Sequence, residues 1–203
     1  MDFCSKTSVM RRVCVFSGSR PGARPDYASV ARALGGAIAR RGCGLVYGGA
    51  SVGIMREIAD ASLAAKGEVI GVIPRALVDR EVAHHGLTEL RIVDTMHVRK
   101  ATMAELADGF VALPGGFGTL DELFEILTWA QLGIHRKPVG LLNVCGFWDP
   151  LLALIDHTIE EGFVPDDQRG LILVDPDPGL LLDRMATWVP PTLGPKWIGI
   201  EDS

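Results

Sequence analysis

Seven short apolar runs alternate along this chain with six stretches of helical periodicity, and that alternation leaves few folds open. The runs are Val13–Phe16, Leu45–Tyr47, Val69–Ile73, Leu90–Val93, Phe110–Leu113, Val139–Leu142 and Leu171–Val174. All but Leu90–Val93, which contains Arg91, are continuous instead of alternating with polar residues, as strands covered on both faces are. The helical stretches span 26–41, 52–65, 96–107, 119–132, 150–161 and 178–188, with Val30, Leu34 and Ile38 along one face of the first. Asp26 is placed to cap that first helix and Ser51 the second. Residues 75–89 carry a weak pattern and are expected mostly as loop. Strands alternating with helices, joined by right-handed crossovers, predict an α/β fold: a doubly wound, Rossmann-like parallel sheet in a three-layer α/β/α sandwich.

At 203 residues the chain fits a single such domain, with its core at about 12–189 and a tail over 190–203. Trp197, Ile198 and Ile200 suggest that the tail packs on something. Hydrophobic residues at 48% and charged residues at 22% exclude wholesale disorder. The formal net charge of −5 speaks against nucleic acid as a partner. None of the cysteines Cys4, Cys14, Cys43 and Cys145 forms a C-x-x-C pair, so reduced thiols in a cytoplasmic protein are expected. The first residues lack the apolar segment of a signal peptide. No apolar run approaches the roughly 18 residues that span a membrane. The five histidines fall into no metal-ligand spacing, and neither a metal nor a cofactor is expected.

In a doubly wound sheet, ligands bind at the carboxyl ends of the strands. All the glycine-rich loops of this chain follow strands. The most informative is Leu113-Pro114-Gly115-Gly116-Phe117-Gly118-Thr119-Leu120-Asp121-Glu122. A strand enters it, glycines turn the chain, and a helix begins near Thr119. Free backbone N–H groups and the positive helix end then make a phosphate site. A plain strand-to-helix turn needs one glycine, not three with a proline.

A Walker A loop is excluded, because no Gly-Lys pair occurs. A dinucleotide fingerprint is excluded too, because the first loop lacks G-x-G-x-x-G and the second strand ends without a carboxylate. A mononucleotide or sugar phosphate suits the loops better. Gly49-Ala50-Ser51-Val52-Gly53 matches the nucleophile elbow G-x-S-x-G, with His135 or His157 as partner. That reading leaves the 114–119 loop unexplained, and Ser51 as a helix cap accounts for the same residues.

Met96-His97-Val98-Arg99-Lys100 opens a helix, and its Arg-Lys pair can hold an anion or form a solvated charge pair. Glu122, in the first turn after the phosphate loop, can stabilise the helix end or serve as a carboxylate beside a bound phosphosugar. Glu125 and Thr128 follow on the same helix.

Pro114–Glu122 resembles the PGGxGTxxE signature of the LONELY GUY family of cytokinin riboside 5′-monophosphate phosphoribohydrolases, long labelled possible lysine decarboxylase. The likeness runs from Val13 to about Trp188. It includes Phe16-Ser17-Gly18-Ser19, Val46-Tyr47-Gly48-Gly49, Val72-Ile73-Pro74 and Thr128–Gly133. The resemblance implies hydrolysis of the N-glycosidic bond of N6-modified adenosine 5′-monophosphates, with AMP as a simple substrate. It assigns catalysis to Arg99 and Glu122. It assigns substrate contacts to Gly18, Ser19, Gly48, Gly49, Glu81, Met96, Lys100, Gly115, Gly116, Gly118, Thr119 and Thr128. It also implies a homodimer with active sites near the interface, toward which Leu123, Phe124, Leu127 and Trp129 supply apolar surface. Val98, Ala50 and Arg56 depart from the family pattern and bear on base preference and loop shape. The alternatives are a non-catalytic nucleotide or molybdenum-cofactor carrier of similar fold, and a pyridoxal decarboxylase, for which Lys100 is the lysine nearest the loops.

Overall fold

A computed structural model of the chain describes residues 10–78 and 83–191. Seven strands form one sheet: β1 Arg12–Phe16, β2 Gly44–Tyr47, β3 Val69–Pro74, β4 Glu89–Val93, β5 Gly109–Ala112, β6 Val139–Leu142 and β7 Ile172–Asp175. Their order is β4-β3-β2-β1-β5-β6-β7, and every pairing is parallel. This is the doubly wound α/β sandwich that the alternation predicts.

The helices are α1 Pro25–Arg40, α2 Gly53–Ala64, α3 Arg75–Val78, α4 Met96–Leu106, α5 Phe117–Gln131, α6 Asp149–Glu160 and α7 Pro178–Ala186. Because strand side chains alternate, β1 feeds both faces. Val13 and Val15 join a core with Leu34, Ile38, Ile54 and Ile58 of α1 and α2, together with Leu181 of α7. Cys14 and Phe16 join Met103, Leu123 and Ile126 of α4 and α5, with Trp148 beside them. The strand order reverses between β1 and β5. The chain leaving β1 crosses to one face and that leaving β5 to the other, which opens a crevice above the shared edge.

Several boundaries differ from the sequence expectation. Pro25 occupies the first turn of α1, whose cap position is Arg24, so Asp26 lies inside the helix and caps nothing. Ser51 does not cap α2 either. Val52 holds that position without a side-chain bond, and Gly53 enters the helix at φ +52°. A side chain at Gly53 would run into the backbone of Ser19 and Arg20, so packing, not capping, decides this helix start. The helix α5 starts at Phe117, two residues before the expected Thr119. Residues 75–78 form a short helix where loop is expected, and Ala83 bridges Ala50. The caps that do operate are Thr95, accepting from Val98 N at 3.2 Å, and Asp177, accepting from Leu180 N at 2.9 Å. The expected tail over 190–203 falls almost wholly outside the described residues, as do Cys4 and Glu81.

Candidate active site

The loops after β1 and β5 meet above the reversal point. Leu113 N donates to Phe16 O at 2.9 Å, and Gly18 N donates to Pro114 O at 3.3 Å. Ile54 N reaches back to Gly18 O at 3.1 Å, tying the start of α2 to the same junction. A Cβ on Gly115 would lie 2.1 Å from Thr119 Oγ1 and 2.9 Å from Gly18 N. Position 115 therefore admits only glycine without displacing the loop or the first turn of α5. Gly116 is the cap position of α5 in an extended conformation, with open space beside it, as beside Gly118. This helix start, whose first N–H groups have no partner within the helix, lines a cavity.

That cavity, of about 180 Å³, is lined by Val15, Ser17, Gly18, Ser19, Gly48, Met55, Arg99, Gly116, Phe117, Gly118, Thr119 and Glu122. Glu122 and Arg99 meet in it, Oε1 to Nη1 at 3.2 Å, each side chain only 11% exposed. Arg99 enters from α4 across the ends of β2 and β3. Its Nε donates to Val72 O at 3.0 Å and its Nη2 to Gly48 O at 3.4 Å. Those carbonyls fix the guanidinium plane independently of Glu122. It passes through the space where Gly48 lacks a side chain, because a Cβ there would sit 2.1 Å from Nη2. Met96 Sδ accepts from Nη1 at 3.4 Å.

Burial pushes the Glu122 carboxyl up to about 7, with Arg99 pulling the other way and Asp121 adding to the rise. A carboxyl poised there exchanges protons near neutrality, which suits acid–base work.

A second cavity of about 300 Å³ adjoins the first along Gly18, Ser19 and Gly116. Gly115 lines it, together with Tyr27, Ile54 and Phe147. The rings of Tyr27 and Phe147 meet edge-on at 6.0 Å.

Other expected site residues lie elsewhere. Lys100 Nζ binds Asp121 Oδ2 at 3.1 Å and Glu125 Oε1 at 3.0 Å, beside the cavity lining and not in it. Burial opposes its charge, but these carboxylates outweigh that and hold its pKa above the usual value. The Arg-Lys pair is therefore divided between separate carboxylates. Thr128 donates to Phe124 O at 2.7 Å and lines a distinct apolar groove with Leu154 and Ile172. Gly49 turns at φ +78° toward β3 and β4, its carbonyl accepting from His84 N. Sequence reasoning passed over Ser17, Met55, Tyr27 and Phe147. Only Ser17 had a signal, its place in the motif that ends β1.

The competing chemistries find no footing. His135 binds Ile126 O and Lys137 N, and His157 pairs with Glu160, so neither nominated histidine serves Ser51. No described lysine lines the Glu122 cavity, so its residues do not fit a pyridoxal Schiff base. Among the described residues, no three or more His, Cys, Asp or Glu side chains gather as a metal site requires.

Comparison with known proteins follows the same direction. The family described as "Possible lysine decarboxylase" matches residues 55–185. A protein of Oryza sativa subsp. japonica named cytokinin riboside 5′-monophosphate phosphoribohydrolase LOG is 49% identical over 185 residues, spanning 91% of this chain and 76% of its own. The Arabidopsis thaliana protein of that name, LOG7, is 46% identical over 183 residues, spanning 90% of this chain and 84% of its own. Among solved structures, the molybdenum cofactor carrier protein of Chlamydomonas reinhardtii superposes with a TM-score of 0.65 at 23% identity, covering 85% of this chain and 94% of the carrier. A molybdenum cofactor binding protein of Rippkaea orientalis gives 0.64 at 22% identity, covering 87% and 95%. At that identity the likeness is one of fold.

Proposed function

The chain belongs to the family described as possible lysine decarboxylase, alongside its phosphoribohydrolase relatives, and from that membership we propose that it hydrolyses the N-glycosidic bond of adenosine 5′-monophosphates. N6-modified nucleotides and AMP are both substrates in this reading, and the products are free base and ribose 5-phosphate. The observation that carries it is the Arg99–Glu122 pair, buried together beside the helix N-terminus of a phosphate loop.

The phosphate sits on the N–H groups at the start of α5, with the Thr119 hydroxyl in reach. This anchors the ribose with C1′ toward Glu122. As the C1′–N bond breaks, its electron pair leaves with the base, and positive charge develops on the ribosyl ring. The ionised Glu122 stabilises that charge. Water bonds to C1′ and gives one proton to Glu122, which passes it to solvent, while the departing base takes one proton from solvent, so that one water is consumed in all. Arg99, fixed by the carbonyls of Val72 and Gly48, holds Glu122 in place and orients the nucleotide.

The test is an assay of purified protein against AMP, an N6-substituted AMP and their nucleosides, scoring free base. Release of base supports the reading. Tight nucleotide binding without release would favour a carrier instead.

Assembly as a homodimer belongs to the same proposal. The Glu122 cavity of about 180 Å³ draws part of its lining from the starts of α4 and α5. Its rim carries Phe117, 92% exposed, with Met96 and Val98 also exposed nearby and Phe124 further along α5. A second copy over this face covers those side chains and completes the site. Leu123 does not contribute, because it is fully buried in the chain's own core. Light scattering at micromolar concentration is expected to report twice the 21.8 kDa chain mass, and a stable monomer would count against the dimer. No described helix is long and apolar enough to cross a membrane. We place the reaction in the cytoplasm, in keeping with the free thiols of Cys14, Cys43 and Cys145.

A further inference from the structure

One wall of the Glu122 cavity carries a hydroxyl with nothing to hold. Ser17 follows β1 and lines the same cavity as Arg99, Thr119 and Glu122. The residue is 8% exposed, and its Oγ is closed off with no hydrogen-bond partner in the described structure. The Tyr47 hydroxyl, Ser62 Oγ and Trp148 Nε1 share that condition, but none of those residues lines this cavity. A buried hydroxyl without a partner weakens the fold, and an alanine in the same place would not. The alternation of β1 sets Ser17 on the side of Val13 and Val15, and Val15 and Met55 line the same cavity. Oγ can turn about the single Cα–Cβ bond, and the oxygen has no bond to lose in moving.

We propose that Ser17 is a positioning residue whose hydroxyl holds an O–H group of the occupant, either a ribose hydroxyl or the attacking water, against Glu122. A hydroxyl can donate to the occupant and accept from it at once, which a flanking valine or methionine cannot. The inference rests on the phosphoribohydrolase reading.

The experiment compares Ser17→Ala with wild type on AMP, 2′-deoxy-AMP and 3′-deoxy-AMP, with ribose 5-phosphate as inhibitor and Tm measured in parallel. The expected result is a kcat on AMP lower by about 10- to 30-fold, roughly 1.4–2 kcal/mol, with Tm equal to wild type or higher. If the held group is a ribose hydroxyl, the variant binds ribose 5-phosphate more weakly, and its penalty vanishes on the deoxynucleotide lacking that hydroxyl. If it is water, inhibition is unchanged and the penalty is equal on all nucleotides. A variant within twofold of wild type in kcat and KM would overturn the role of Ser17 alone. So would a loss of activity matched by a fall in Tm, which marks a structural role. A wild-type protein that releases no base overturns the enzymatic reading and this role together.

Discussion

Replacing Glu122 by Gln, or Arg99 by Ala, is expected to lower kcat by about 10²-fold or more, the scale of losing a positioned charge or proton-transfer group. The two effects should not add, because each side chain places the other. The pH profile separates this from mere damage. With the carboxyl pushed up to about 7 by burial, kcat/KM should fall as pH drops below neutrality, and Glu122→Gln should abolish that limb. Stability carries the opposite sign. The folded chain keeps a proton on Glu122 that the unfolded chain has lost above its ordinary value of 4.5. The Glu122 contribution to stability therefore declines as pH rises from 4.5 through about 7, and the Gln variant lacks that contribution. Thermal melts of both proteins at pH 5 and 8 measure it. Near-wild-type turnover in both variants would remove Arg99 and Glu122 from the mechanism.

Removing the 5′-phosphate from the substrate is expected to cost more still. Each hydrogen bond to a charged group contributes roughly 1.5–3 kcal/mol. The start of α5 offers several N–H groups, and Thr119 a hydroxyl. Two or three such bonds, discounted for lost hydration, come to about 4 kcal/mol, near 10³-fold in kcat/KM. Part of the loss should appear in kcat, because the anchored phosphate holds the ribose in its reactive geometry. The measurement compares base release from AMP with adenosine, and from an N6-substituted AMP with its riboside. Efficiencies equal within about threefold would refute the phosphate role of residues 115–119 and indicate an ordinary nucleoside hydrolase.

The parts of this molecule legible in its sequence are those where composition and local geometry coincide. The inner strands are apolar runs because a sheet covered on both faces favours nothing else, while the edge strand β4 carries the charged Glu89 and Arg91, and all seven runs became strands. The loop from Pro114 to Thr119 is legible because three glycines and a proline exceed what a turn requires. Helix starts were read less well, since Asp26 and Ser51 suit a cap chemically while Pro25 and the contact of Gly53 with Ser19 set the real boundaries. Ser17 stands in the motif Phe16–Ser19, yet a serine after a strand looks ordinary until the cavity above it is known. Lys100 shows the converse: its neighbour in sequence reaches the cavity, while its own ammonium meets Asp121 and Glu125 on the flank of α5. Which of two adjacent side chains points inward is settled by helix phase against the sheet, and a motif does not encode that.

The missing side chain of Gly48 ties the descent of two distant codons together. Arg99 occupies the room that any Cβ at position 48 would need, although the positions are separated by 51 residues. A lineage that gains an alanine at 48 has to shift the guanidinium end of Arg99, and with it the contact to Glu122. One that first loses the arginine leaves a void that a larger residue at 48 can fill. Across chains of this architecture the two positions should therefore change hands as a pair, and a glycine at the end of the second strand becomes a marker for whether the arginine's work is still being done.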